Sequence, residues 1–270
     1  MATVLVFTAH GDDMEFYAGG TIAKLCMLGH EVHLVIATDN SKGTFECTFE
    51  EMRAVRLAEP EAAGRVLGLA TVACLDYPDG ELAGVPLNTL RGQFIEALRR
   101  LRPEIVFTFD PFAPYENHQD HRSVAWAAME AASFSHFPLY YPEQVAAGLH
   151  PWLVPEVVYF AKHPIDTNKS VDISGEPIRR KIEALWCHTN QMVLTLAEAQ
   201  MQLASAPYDV PEVTALDPHD YREFIGRRVR ETAATVGKRY GLEYAEHFRR
   251  TRWGGTERMA PSGAVPPDEW

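Results

Sequence analysis

Three features of the sequence predict an α/β protein with a mainly parallel sheet. Five short apolar runs are separated by helix-length segments. Most of those runs are apolar throughout rather than alternating, as strands covered on both faces are. Glycine or proline stands where several of the helical segments end. Taken in order, residues 3–7 read as a first strand and 17–28 as a helix closed by Gly29. Residues 31–37 are a second strand. A long helix spans 49–67 and ends at Gly68, with Pro60 predicting a kink or break inside it. A third strand at 71–75 is followed by a helix at 87–101, stopped by Pro103, and a fourth strand at 104–109. Residues 118–132 are helical. Trp126, Met129 and Phe134, at helical intervals, read as core. The fifth strand is 156–160. After residue 175 the pattern is helical, at 177–188, 193–204 and 220–240, and the tail from Gly254 reads as loosely ordered. No linker and no internal repeat divides the chain. The expected architecture is one domain, 1–270: a Rossmann-like three-layer α/β/α arrangement with a helical C-terminal extension.

Composition narrows the function. The chain has 270 residues, 46% hydrophobic, and a formal charge of −12. That charge argues against nucleic acid as a partner. No apolar stretch approaches the ~20 residues of a membrane span, and the N-terminal residues lack a signal-peptide layout. Cys26, Cys47, Cys74 and Cys187 form no CxxC pair, which argues against a disulfide scaffold or a cysteine zinc site. A cytoplasmic protein without membrane contact is expected.

In open α/β sheets, ligands gather at the carboxyl ends of the strands. After the first strand the chain reads Ala9-His10-Gly11-Asp12-Asp13-Met14-Glu15. Two neighbouring carboxylates repel unless a cation or proton lies between them. A polar turn with one aspartate capping the next helix is the plainer alternative. After the fourth strand comes Pro114-Tyr115-Glu116-Asn117-His118-Gln119-Asp120-His121. His118 and His121, three apart at a helix start, can share a face. Two such clusters in equivalent loops are hard to explain as caps. Imidazole and carboxylate donors without thiolates suit zinc or another first-row divalent ion, Fe2+ included.

Ala-His-Gly-Asp-Asp-x-Glu with Gly19-Gly20-Thr21 resembles the opening motif of the PIG-L/LmbE-like N-acetylglucosamine deacetylases. His118-Gln119-Asp120-His121 resembles their His-x-Asp-His motif. The likeness continues through Arg56-x-x-Glu59, Leu67-Gly68, Asp76 to Gly80, Lys181 to Leu185 with His188 and Gln191, and Tyr244-Ala245-Glu246-x-Phe248. Glu15 places the chain beside the branch with bacillithiol-pathway and diacetylchitobiose deacetylases. Two departures stand out: Gly11 replaces the usual proline, and Thr189-Asn190-Gln191 replaces the end of a His-x-Ser-Gln element.

The resemblance implies hydrolysis of the N-acetyl group of an N-acetylglucosamine-containing small molecule by a zinc-dependent enzyme. It implies His10, Asp13 and His121 as metal ligands and Asp12 as the base that takes a proton from metal-bound water. It implies His118 as an electrostatic partner of the oxyanion, oriented by Asp120, and Arg56 and Asp79 near the sugar. It also implies a homo-oligomer, a trimer or hexamer. Alternatives stay open at this level. Asp12 is otherwise a helix cap, His118 a fourth ligand or a surface histidine, and Arg56 an exposed helical residue. Glu15 and His188 read as structural, and His247 as part of a surface helix or a subunit contact. The competing functions are a catalytically inactive sugar-binding relative and a nucleotide-dependent enzyme. The latter is opposed by the absence of GxGxxG after the first strand.

Overall fold

A computed structural model describes residues 1–207, 210–252 and 270, with all their side chains except those of Arg56 and Leu57. The elements in chain order are β1 (Thr3–Thr8), α1 (Asp13–Met27), β2 (Glu31–Thr38), α2 (Phe49–Leu67), β3 (Thr71–Tyr77), α3 (Leu87–Leu101), β4 (Ile105–Phe109) and α4 (Gln119–Phe134). They continue with α5 (Pro142–Ala146), β5 (Glu156–Phe160), β6 (Lys169–Asp172), α6 (Glu176–Leu185), α7 (Thr189–Ala204), α8 (Pro211–Thr214), α9 (Tyr221–Tyr240) and β7 (Ala245–Arg252).

The strands form one sheet in the order β3-β2-β1-β4-β5-β7-β6. The pairs from β3 through β5 are parallel. β1 is central and buried from Val4 onward, as its apolar run predicts. Helices α1 and α2 pack with α6 on one face, and α3 packs with α4 on the other. The rings of Phe7 in β1 and Phe94 in α3 stack with centroids 4.2 Å apart, tying sheet to helix layer.

The C-terminal part differs from expectation. It is helical through α6, α7 and α9, but the chain then returns to the sheet. β7 runs antiparallel to both β5 and β6. Its sequence, AEHFRRTR, is too charged to read as a strand. A cross-strand ion pair supports it: Arg252 Nε lies 2.8 Å from Glu156 Oε2, on residues in register. His247 therefore belongs to a strand rather than a surface helix. The tail from Gly254 falls on residues 253–269, outside the described ones. Trp126, expected in the core, is 38% exposed and meets Phe112 edge-on.

Pro60 does not break α2, which runs from a Thr48–Glu51 capping box to Gly68 at φ 91°. The proline ring instead packs against the turn after β1. A Cβ on Gly11 would lie 2.5 Å from Pro60 Cγ. The glycine that departs from the family motif is matched by a proline arriving from another element.

Helix α1 starts four residues earlier than the apolar pattern suggests, at Asp13. Its middle is clamped from two sides. Gly20 and Thr21 donate their N–H groups to Glu246 of β7, at 3.0 and 2.7 Å. Lys181 of α6 donates to Glu246 at 2.6 Å and to the Phe16 carbonyl at 2.9 Å. Gly20 permits this approach, since a Cβ there would meet Ile173 at 2.8 Å.

Candidate metal centre

The site lies at the carboxyl edge of the sheet, where the chain leaves β1 for β2 on one side and later crosses from β3 to β4 on the other. This switch point is where open α/β sheets bind ligands. β1 delivers His10, Asp12 and Asp13. The loop after β4 and the first turn of α4 deliver Glu116, His118, Asp120 and His121. The turn after β3 delivers Asp79.

His10, Asp13 and His121 meet. His10 Nδ1 stands 3.3 Å from His121 Nε2, and His121 Nε2 stands 3.2 Å from Asp13 Oδ1. Asp13 Oδ2 lies 3.5 Å from His10 Nδ1. Donor atoms held ~2.0–2.1 Å from one tetrahedral ion are ~3.3–3.4 Å apart. The His10–His121 and His121–Asp13 distances are close to that spacing, while the Asp13 oxygen that approaches His10 is the other one of its carboxylate. The ring nitrogens pointing away lie close to carboxylates, although neither makes a hydrogen bond of good geometry. His10 Nε2 faces Asp79 Oδ1 at 3.2 Å and Asp120 Oδ2 at 3.5 Å. His121 Nδ1 faces Glu116 Oε2 at 3.3 Å. Carboxylates behind histidines fix the ring tautomer and raise its basicity as a ligand. The wider cluster contains two sets of donors whose ligating atoms lie within 4.8 Å of one another: His10, His118 and His121, and His10, Asp79 and Asp120.

The electrostatics agree with a place for positive charge. Burial would lower the pKa of His10, but Asp13, Asp120 and Asp79 outweigh it and hold the imidazole well above its usual value. For His121 burial is likewise outweighed, by Asp13 and Glu116, and its pKa is pushed up to about 9. Burial would raise Asp13, but His121 and His10 hold it far below the usual carboxylate range. His118 behaves oppositely. Burial and the neighbouring His10 and His121 cations lower its pKa, which keeps the ring neutral.

His118 caps α4, its Nδ1 accepting from the Asp120 N–H at 3.3 Å. Its ring stacks on His121 with centroids 4.5 Å apart. Asp120 thus meets the His118 ring through its backbone N–H, while its carboxylate is engaged elsewhere. It is fully buried, accepts from the Gly80 and Leu82 N–H groups at 2.7 and 3.0 Å, and faces His10. Asp79 likewise sits beside His10, with its other oxygen accepting from the Lys42 N–H at 2.9 Å. The Arg56 side chain lies outside the described ones. Asp12 is buried at the head of α1. Glu15 and His188, both fully buried, face each other beneath the turn at 3.4 Å; burial raises the Glu15 pKa.

Sequence reasoning missed three supports. Glu116 stands in the quoted motif but carried no assigned role. Asn40, held at φ 55°, accepts from the Gly11 N–H at 2.7 Å, and Asp39 accepts from the Asp79 N–H at 3.1 Å. Both directly follow β2, and the strand-end argument that pointed to His10 applies equally to them.

Comparison with known proteins places this geometry. The family described as GlcNAc-PI de-N-acetylase, PIG-L, matches residues 5–132. Diacetylchitobiose deacetylase of Thermococcus kodakarensis is 31% identical over 248 residues, covering 91% of this chain and 82% of that protein. The chain belongs to the PIG-L family. Other PIG-L relatives agree. A 1D-myo-inositol 2-acetamido-2-deoxy-alpha-D-glucopyranoside deacetylase of Rhodococcus erythropolis is 25% identical, over 75% of this chain and 85% of its own. The solved N,N'-diacetylchitobiose deacetylase of Pyrococcus horikoshii, complexed with its inhibitor MPG, superposes with a TM-score of 0.75 at 30% identity. It covers 93% of this chain and 84% of that one. As a PIG-L protein the chain is a hydrolytic N-deacetylase. No helix among the described residues is long and apolar enough to cross a membrane.

Proposed function

We propose that this chain is a zinc-dependent deacetylase of a small N-acetylglucosamine-containing molecule. The observation that carries the reading is the convergence of His10 Nδ1, His121 Nε2 and the Asp13 carboxylate at 3.2–3.5 Å. These three side chains would hold the ion, which supplies, when bound, the positive charge that brings the pKa of water to about 7. The donor set contains no thiolate, which suits zinc and also accommodates ferrous iron.

The remaining roles fall to the chain. Asp12, at the head of α1 beside the ligand turn, accepts the proton released as water attacks the acetyl carbonyl. His118 has its Nδ1 lone pair engaged by the Asp120 N–H, so a neutral ring carries its proton on Nε2. That tautomer is a hydrogen-bond donor and not a ligand, which favours oxyanion stabilisation over a fourth coordination bond. The C–N bond then breaks, the amine takes up a proton and acetate is released. Asp120 and Asp79 fix the His10 ring, and Glu116 fixes that of His121.

The relatives named above act on a chitobiose and on an inositol glycoside, which supports an N-acetylated sugar as substrate. β7 lies between β5 and β6, which supports a single domain. All four cysteines are unpaired, which supports a reducing, cytoplasmic setting. The family likeness is the support for a homo-oligomer, a trimer or hexamer. The test measures metal content and acetate release from N,N'-diacetylchitobiose, N-acetylglucosaminyl-inositol and free N-acetylglucosamine. Acetate release that a chelator abolishes and zinc restores is expected. Zinc-loaded protein that releases none from the panel would refute the enzyme and leave a sugar-binding relative.

A further inference from the structure

Tyr115 combines two costly features. Its backbone is in the left-handed region, at φ 59°, which residues with a side chain adopt at a conformational cost. The residue is 89% exposed. The surroundings force this posture. Glu116, the next residue, accepts from the His118 N–H at 3.0 Å, faces His121 Nδ1 at 3.3 Å, and receives Arg122 Nη1 on its carbonyl at 2.9 Å. With Glu116 pinned to the site, the chain must turn sharply one residue earlier, and the Tyr115 ring projects at the rim.

Two other residues near the site with φ in this region, one buried in a loop and one exposed in β3, engage their side chains with the protein. Asn40, at φ 55°, accepts from Gly11, and Asp76, at φ 62°, pairs with Arg53. Tyr115 makes no ring contact, hydrogen bond or ion pair among the described residues. Nor does it resemble Phe112 in the same loop, which is engaged by Trp126 at 5.4 Å and Arg249 at 5.8 Å. Glycine or asparagine would make this turn with less strain and less exposed apolar surface. A tyrosine here is explained by something outside the chain that covers the ring.

The rim also indicates the charge of that partner. Lys42 is paired with Glu81 at 2.8 Å, Arg53 with Asp76, and Arg249 lies 3.9 Å from Asp110. These three cations are matched by carboxylates, and Arg122, exposed in the same loop region, donates to the Glu116 carbonyl. An exposed aromatic face fits the C–H face of a neutral six-membered ring.

We propose that Tyr115 is the platform for the second ring of the substrate, a neutral pyranose or cyclitol joined to the N-acetylated sugar. This rests on the deacetylase reading and adds a determinant of substrate size to it. The experiment compares kcat and KM of wild type, Tyr115→Ala, Tyr115→Phe and Tyr115→Gly on N,N'-diacetylchitobiose, N-acetylglucosaminyl-inositol and free N-acetylglucosamine. Metal content and Tm are measured on each. Wild type is expected to prefer a two-ring substrate, and whichever is preferred identifies the ring. Tyr115→Ala should cut that preference about tenfold, through KM, the order expected for uncovering one ring face. Tyr115→Phe should keep it. Tyr115→Gly should lose it while raising Tm, because it relieves the strained φ.

Equal turnover of one- and two-ring substrates by wild type would overturn the proposal. So would loss of metal in Tyr115→Ala, or a preference that survives it. Failure of wild type on all three substrates would instead remove the deacetylase reading itself.

Discussion

Two clusters of buried charge lie along α1, and they are built differently. At the middle of the helix, the Lys181 ammonium and the Glu246 carboxylate satisfy each other and three backbone groups. At its N-terminus, ring nitrogens of His10 and His121 point at one another across 3.3 Å, surrounded by Asp13, Asp79, Asp120 and Glu116. Two imidazolium rings in that arrangement repel, and so do two lone pairs, whereas one shared proton joins them in a hydrogen bond. The first cluster is complete and serves the fold. The second gathers His and carboxylate donors that could hold a cation, and the difference separates a structural ion pair from a candidate metal site.

That distinction can be broken by substitution. His121→Ala should remove bound metal and activity together, as metal analysis and acetate release would show; unchanged metal stoichiometry would refute its role as ligand. Asp12→Asn should retain the metal but lose about 10²–10⁴ in kcat, the usual contribution of a general base. A full rate would exclude it as the base. At the other cluster, Lys181→Met leaves Glu246 without its partner and should cost about 3–5 kcal/mol in urea denaturation. Protein that remains folded should still bind zinc. Zinc loss without destabilisation would show that the two clusters are not separate in function.

The pH dependence sharpens the same contrast. In the metal-free protein His121 has its pKa raised from 6.5 to about 9. A raised imidazole pKa gives stability that is fully present below pH 6.5 and is lost as pH rises through about 9. The loss is about 3 kcal/mol. Burial alone would lower the pKa of His10, but Asp13 raises it overall, so His10 acts in the same direction. Tm of chelated protein should therefore fall between pH 7 and 10, and zinc, which takes the place of those protons, should flatten the curve. A smaller effect is expected at the turn itself. Gly11→Ala brings a methyl within 2.5 Å of Pro60 Cγ and should cost about 1–3 kcal/mol. Pro60→Ala in the same chain should recover part of it.

The parallel half of the fold was legible because its strands are apolar throughout and its helices end at Gly29, Gly68 and near Pro103. The metal turn was legible because the residues meeting there come from strand ends, and strand ends fall on one edge. What stayed hidden depends on contacts between distant segments. β7 carries three arginines, and only its pairing with Glu156 and its place beside β5 make it a strand. Asp79 and Asp120 are visible as motif residues, but that both lie behind His10 follows from how the β3 and β4 loops fold together. α1 begins at Asp13 because the Asp13 carboxylate accepts from the Ala9 and His10 N–H groups, at 3.1 and 2.7 Å. Apolar spacing carries no trace of that.

The position of Glu246 has a consequence for synthesis. The carboxylate that secures Gly20 is 226 residues downstream of it. A nascent chain emerging from the ribosome can pair its first five strands, yet leaves the flank of β5 open and this part of α1 unsecured until residue 246 has been made. Truncation just before Tyr244 should therefore yield a product with a bare sheet edge, prone to self-association, in which every side chain of the metal centre is still encoded.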